Sequence, residues 1–142
     1  METITNTSKV LYTAKTHTIG GRAQEVAKSS DGHLDIKLSP LGANGIGTNP
    51  EQLFAAGWSA CFEGAMGIAA SKKRIALPED TTIDAEIDLN LDKGEFFLAA
   101  RLNVSIPGLD KEVGHKIIDA AHHICPYSKA IQDSVEIQTN LV

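Results

Sequence analysis

The sequence is poor in cysteine, in aromatic residues and in positive charge. Its two cysteines, Cys61 and Cys125, lie too far apart for a CxxC redox motif and are too few for a four-ligand zinc cluster. In a reducing compartment a permanent structural disulfide is also unexpected, which leaves inert core thiols or redox-active ones. Lys and Arg number 13 against 18 Asp and Glu, a formal net charge of −5, with no long basic run in compensation. Nucleic acid and anionic membrane are therefore poor partners. The polar opening "METITNTS" has no cationic start, apolar run or small-residue cleavage site of the secretory kind, so a cytoplasmic protein is expected. Repeats, low-complexity segments and interdomain linkers are missing as well. One domain over residues 1–142 is the economical expectation.

What is present is a run of strand and helix signals. The first forty residues alternate strand-like segments with turns, "IGGR" at 19–22 and "SSDGH" at 29–33, where Asp31-Gly32 suits a tight hairpin. Residues 39–47, "SPLGANGIG", form a glycine-containing loop. Ile83, Ala85, Ile87, Leu89 and Leu91 then alternate with polar residues, as do Phe96, Leu98, Ala100, Leu102, Val104 and Ile106. If Lys93-Gly94 is a two-residue turn, the apolar sets of both strands fall on one face, Leu91 opposite Phe96 and Ile87 opposite Ala100. A helix is expected from about Asp110 to Ile124, halted by Pro126, and a final alternating strand in "SVEIQTNLV". The fold class is α+β: antiparallel sheet with few helices.

The longest helix signal starts at "NPEQ". Asn49 can cap it, Pro50 suits its first turn, Glu51 stands at the positive dipole end, and Lys72, Lys73 and Arg74 close the other end. Between them the residues from Leu53 to Ile68 are apolar on nearly every face, which predicts a buried central helix held by sheets. A membrane span is the competing reading, opposed by Glu63 and by the predominance of small side chains.

Cys61 lies in the middle of this helix among apolar neighbours, where a thiol is commonly a small buried hydrophobe. Cys125 precedes Pro126, which biases it out of helical geometry into a chain turn. If "PYSKAI" begins a short helix, Cys125 stands at its positive end, a setting that favours a thiolate; the plain alternative is an ordinary helix-ending residue. Taken alone, Arg22 would be a strand surface residue and Glu51 a dipole-stabilising carboxylate. His122 and His123 are adjacent on a helix and point apart, so the five histidines are surface or packing residues with no metal-ligand spacing.

Three separated stretches together carry more information. "GGR" at 20–22, "TNPEQLFAAGWSACF" at 48–62 and "AAHHICPYS" at 120–128 closely resemble the organic hydroperoxide resistance proteins of the Ohr/OsmC superfamily, in order and in spacing. The likeness covers almost the whole chain, and the Gln-Leu-Phe-Ala run and the tyrosine after Cys-Pro resemble that branch more than the osmotically inducible one. The sequence departs from the pattern at Glu63 and in a short glycine loop at 42–47.

The resemblance implies antiparallel sheets wrapped around long central buried helices in an intertwined homodimer, and a thiol peroxidase using no metal, haem or flavin. Cys61 would be the peroxidatic residue, Cys125 the resolving one, Arg22 the cation that activates the thiolate, and Glu51 the carboxylate that orients Arg22. Chemistry agrees, because an apolar pocket disfavours a thiolate and a guanidinium fork can reverse that. Organic or fatty-acid hydroperoxides are the implied substrates, with dihydrolipoamide or a lipoylated protein as reductant. The alternatives are a peroxidase of the osmotically inducible branch, or a redox sensor or apolar-ligand binder on the same fold. Helix geometry adds one expectation. Glu51 and Cys61 are about 15 Å apart along one helix and about 80° apart in azimuth, so one arginine cannot comfortably touch both in the same chain. Two such helices crossing antiparallel about residue 56 would bring Glu51 of one chain opposite Cys61 of the other.

Overall fold

In the computed structural model, residues 8–20, 26–41 and 45–142 are described. The chain forms two compact units, one ending at Asn49 and the other beginning at Pro50. The first holds a three-stranded antiparallel sheet of β1 (Thr16–Ile19), β2 (Val26–Ser29) and β3 (Asp35–Lys37) in the order β1-β2-β3. The expected Asp31-Gly32 turn joins β2 to β3. Gly32 has a φ of 77°, while the Asp31 carboxylate accepts from the Ser29 hydroxyl at 2.6 Å and the His33 N–H at 2.9 Å, a side-chain-closed turn. Ile19 and Gly20 of the expected "IGGR" turn are described, but Gly21 and Arg22 lie outside the described residues, as do residues 42–44 of the glycine loop. The ends of that loop meet where Leu38 bridges Thr48.

The second unit is built on helix α1 (Pro50–Lys72), strands β4 (Thr82–Asp92) and β5 (Glu95–Ser105), helices α2 (Lys111–Ile124) and α3 (Pro126–Ile131), and strand β6 (Glu136–Leu141). The β4-β5 hairpin has the register that alternation requires: Leu91 pairs with Phe96, Leu89 with Leu98, Ile87 with Ala100. Its turn is Lys93-Gly94, with φ of 51° and 82°, the double positive φ that matches the strand twist. Asp110 caps α2 by accepting from the Val113 N–H at 3.2 Å. β6 runs parallel to β5 at the edge of the order β4-β5-β6, so this sheet is mixed rather than wholly antiparallel. The reason is connectivity: α2 and α3 form a helical crossover, and such a return lays the next strand down in the same direction.

The core lies between the sheet and the helices. Phe62 and Met66 of α1, Leu102 and Val104 of β5, and Ile117 of α2 are fully buried, each worth roughly 1.5–3 kcal/mol of transfer free energy on general scales. Two details differ from the sequence reading. α1 buries only the stripe of Trp58, Phe62, Ala65, Met66, Ala69 and Ala70, whereas Ala56, Ala60, Gly64 and Ile68 are exposed. At the hairpin tip, Leu91 and Phe96 are also exposed, because the strands run beyond the helices that cover their other ends. α1 has the length and apolar composition of a membrane span, yet its bulky face is committed to the core.

Candidate active site

Cys61 stands midway along α1 and Cys125 at the corner between α2 and α3. The corner follows from Pro126, whose ring disfavours helical geometry in the residue before it; Cys125 has φ −66° and ψ 117°. Its N–H still closes α2 onto the Ala121 carbonyl at 2.8 Å, and its sulfur caps α3 by accepting from the Ser128 N–H at 3.5 Å. One residue thus ends one helix and starts the next. The two sulfurs are 3.3 Å apart, both as free thiols. A disulfide is about 2.05 Å long, so bonding needs an approach of only about 1.3 Å.

Burial separates the two thiols, Cys125 being wholly inaccessible and Cys61 partly open. Burial pushes the Cys61 thiol above its ordinary value, and its hydrogen bond with Cys125 adds to the rise. The Tyr127 backbone N–H acts in the opposite direction. Cys61 is therefore held as a thiol by its immediate surroundings, and a reaction that needs the thiolate needs a further positive group.

Three aromatic rings of α1 and α3 cluster near Cys61. Phe54 meets Trp58 edge-on with ring centroids 6.1 Å apart, and meets Tyr127 in the same manner at 6.4 Å. Gly57, one helical turn before Cys61, makes room for Tyr127: a Cβ there would lie 3.3 Å from the Tyr127 hydroxyl.

Of the four residues expected to act together, this unit brings Cys61 and Cys125 into contact. Glu51 lies in the first turn of α1, and because the helix runs unbroken past Cys61, about 15 Å of axial rise separates them within the chain. Arg22 lies outside the described residues. Glu63 is exposed, in keeping with its position about 200° round the helix from Cys61.

Trp58 and Ser128 were not singled out as site residues by the sequence, and His122, read there as a surface or packing histidine, is a packing one. Ser128 is buried; its hydroxyl accepts from Trp58 Nε1 at 3.0 Å and lies 3.1 Å from His122 Nδ1. His122 Nε2 lies 2.8 Å from the Thr139 hydroxyl, and the imidazole packs against Phe62 at a centroid distance of 4.6 Å. Burial lowers the His122 pKa, with Asp119 opposing and His123 assisting. The local signal was the spacing of three residues on either side of Cys125. Among the described residues, no group of three or more His, Cys, Asp or Glu side chains has the arrangement of a metal site.

Comparison with known proteins agrees with the fold. The signature of the family described as "OsmC-like protein" matches residues 42–140. The organic hydroperoxide resistance protein of Xanthomonas axonopodis pv. citri (strain 306) is 43% identical over 137 residues, covering 94% of this chain and 96% of its own. Organic hydroperoxide resistance protein OhrB of Bacillus subtilis (strain 168) is 40% identical over 136 residues, 92% of this chain and 98% of its own. The crystal structure of OhrB superposes with a TM-score of 0.88 at 39% identity, covering 94% of this chain and all of that one. An organic hydroperoxide resistance protein from Legionella pneumophila gives 0.85 at 38% identity, with 94% and 98% covered.

Proposed function

The chain belongs to the OsmC-like protein family, and from that premise we propose that it is a cysteine-based peroxidase that reduces organic hydroperoxides to alcohols. The observation that carries the proposal is the 3.3 Å approach of Cys61 to Cys125, one partly open and one sealed. Relatives named for organic hydroperoxide resistance support the substrate class.

The Cys61 thiolate attacks the outer peroxide oxygen, the O–O bond breaks, and the alkoxide takes a proton and leaves as the alcohol. Cys61 is left as sulfenic acid. The Cys125 sulfur then displaces hydroxide from it, its proton completing the water that departs, and a disulfide forms. A dithiol of the dihydrolipoyl type returns both thiols and becomes a disulfide itself. No metal, haem or flavin takes part. Arg22 supplies the positive group that Cys61 requires, with a planar fork able to meet sulfur and peroxide oxygens while Glu51 holds its remaining donors.

The working unit is a cytoplasmic homodimer. The exposed Ala56, Ala60, Gly64 and Ile68 stripe of α1 and the exposed Leu91 and Phe96 are apolar surfaces that a second copy would cover. Antiparallel crossing of the α1 helices near residue 56 lets Glu51 of each chain serve the Cys61 of its partner.

The test is decay of cumene hydroperoxide with reduced lipoamide. Many turnovers per chain are expected, abolished by Cys61→Ser; in Cys125→Ser one sulfenic acid forms on Cys61 and then stalls or over-oxidises, read by mass spectrometry. A single oxidation per thiol pair without turnover would make the protein a sensor. Full activity in Cys61→Ser, with sulfenate on Cys125, would reverse the two roles.

A further inference from the structure

The hydrogen-bonded group behind Cys125 has no part in the chemistry above, although it joins every element that fixes the position of the thiol. Ser128 is its centre. Through one hydroxyl it meets Trp58 of α1 and His122 of α2, while its own N–H holds the Cys125 sulfur. His122 carries the connection on to Thr139 of β6. Trp58 can only donate to Ser128, while the direction of the two His122 bonds follows its tautomer: with the proton on Nε2 it donates to Thr139 and accepts from the Ser128 O–H, and with the proton on Nδ1 it donates to Ser128 and accepts from Thr139. No buried side-chain nitrogen or oxygen among the described residues is then left without a partner.

α1 carries Cys61, and Trp58 stands on the same helix three residues before it. The Trp58–Ser128 bond therefore ties the helix of one thiol directly to the corner that carries the other. We propose that Ser128, backed by His122, is a positioning residue for the second half of the reaction: it keeps the Cys125 sulfur within bonding reach of Cys61 after Cys61 has become sulfenic acid. This rests on the peroxidase reading. In the step concerned the S–O bond of Cys61 breaks, the Cys61–Cys125 S–S bond forms, and the Cys125 proton leaves with the hydroxyl as water; one sulfur is oxidised and the other reduced. Loosening the corner slows that encounter, because proximity of the two sulfurs is what makes it fast. Attack on the peroxide does not use the Cys125 sulfur and is not slowed.

Trp58 is the single tryptophan of the chain, so its fluorescence, together with mass spectrometry, follows the site through one oxidation cycle. In rapid-mixing experiments with one equivalent of cumene hydroperoxide, Ser128→Ala is expected to form Cys61 sulfenic acid within about twofold of the wild-type rate. Disulfide formation should be slowed at least tenfold, and sulfinic acid should accumulate at lower peroxide concentration. Ser128→Thr, which keeps the hydroxyl, should restore resolution. His122→Gln removes the ring nitrogen that meets Ser128 while keeping a polar side chain at the α2 end; followed by mass spectrometry, it provides the same measurement if Ser128→Ala does not fold. Wild-type resolution rates in Ser128→Ala or, where that fails to fold, in His122→Gln would overturn the assignment while leaving the peroxidase reading intact. Equal slowing of both steps would overturn it too, marking a general structural role. Absence of sulfenic acid on Cys61 in the wild-type protein would remove the peroxidase reading and this inference with it.

Discussion

Oxidation of the Cys61–Cys125 pair should raise the thermal stability of the protein, because the bond closes a long loop between sulfurs that already lie together. The residues are 64 apart in sequence. For a loop of this length the chain-entropy relation removes about 14–15 cal/mol/K from the unfolded ensemble, or about 4 kcal/mol at 25 °C. That figure is a ceiling, since any strain in closing the gap subtracts from it. Cys61 rides on a 23-residue helix anchored by Phe62 and Met66, so the adjustment of about 1.3 Å falls mainly on Cys125 at its corner. With an unfolding entropy of about 2.1 cal/mol/K per residue, or about 0.3 kcal/mol/K for this chain, the ceiling corresponds to a Tm rise of about 14 °C. A rise of about 5–14 °C is expected. Differential scanning calorimetry of the dithiol-reduced and peroxide-oxidised protein measures it, at matched concentration because association alone moves Tm. Cys125→Ser should show no such rise. An unchanged or lower Tm on oxidation would mean that the folded chain resists the bond, and would refute the claim that the thiols are held ready for it.

Further expectations follow from the same geometry. Arg22→Lys should slow alkylation of Cys61 at neutral pH about tenfold or more, since an ammonium cannot reproduce a planar fork; unchanged alkylation would remove Arg22 from the site. Gly57→Ala sets a methyl 3.3 Å from the hydroxyl of the half-exposed Tyr127, a contact tight enough that the gain of about 1 kcal/mol in helix propensity should be lost. Adding Tyr127→Phe should recover most of this in urea titrations, and failure to recover would place the strain elsewhere. His122 is kept neutral by burial, its folded pKa lying below the unfolded one. Its contribution is therefore fully present above about pH 6.5 and is lost as pH falls below that value. Urea midpoints of His122→Gln should lack this part of the acid decline, and an equal decline in both proteins would exclude His122 as its source. Co-refolding Cys61→Ser chains with Glu51→Ala chains should regain one working site per mixed dimer, whereas verified mixed dimers without activity would refute sharing of Glu51.

Most of this architecture could be read from periodicity and punctuation. Two-residue alternation on both sides of Lys93-Gly94 leaves the hairpin one register, because a one-residue slip would turn every apolar side chain outward. Asn49-Pro50 and Asp110 mark helix starts by local chemistry, and Cys125-Pro126 marks the corner that brings the second thiol to the first. What was not legible depends on direction or on distant partners. The alternation of Glu136–Leu141 is the same whether the strand runs parallel or antiparallel to β5. The even apolarity of α1 conceals that one chain covers only the side bearing Phe62 and Met66. Trp58 meets Ser128 across 70 residues through a single hydrogen bond, and no sequence period records such a pairing.

The surroundings of Cys61 set two requirements against each other, and together they narrow the substrate. Burial and the hydrogen bond with Cys125 raise the cost of a thiolate at Cys61, the form that reacts, and the rings of Phe54 and Tyr127 stand nearby. On the proposed peroxidase reading such rings would reward alkyl carbon: burying four methylene groups contributes about 3 kcal/mol, roughly a 200-fold preference over a peroxide that has none. A site that reduced hydrogen peroxide would gain nothing from these rings and would still bear the penalty on its thiol. Keeping the rings is advantageous only if the substrate carries a carbon chain and a positive group from outside the immediate walls restores the thiolate. On that reading substrate selection and the need for a guanidinium would both follow from the burial of Cys61, and Phe54→Ala should lower the preference for cumene hydroperoxide over hydrogen peroxide; an unchanged preference would refute the part given to the rings.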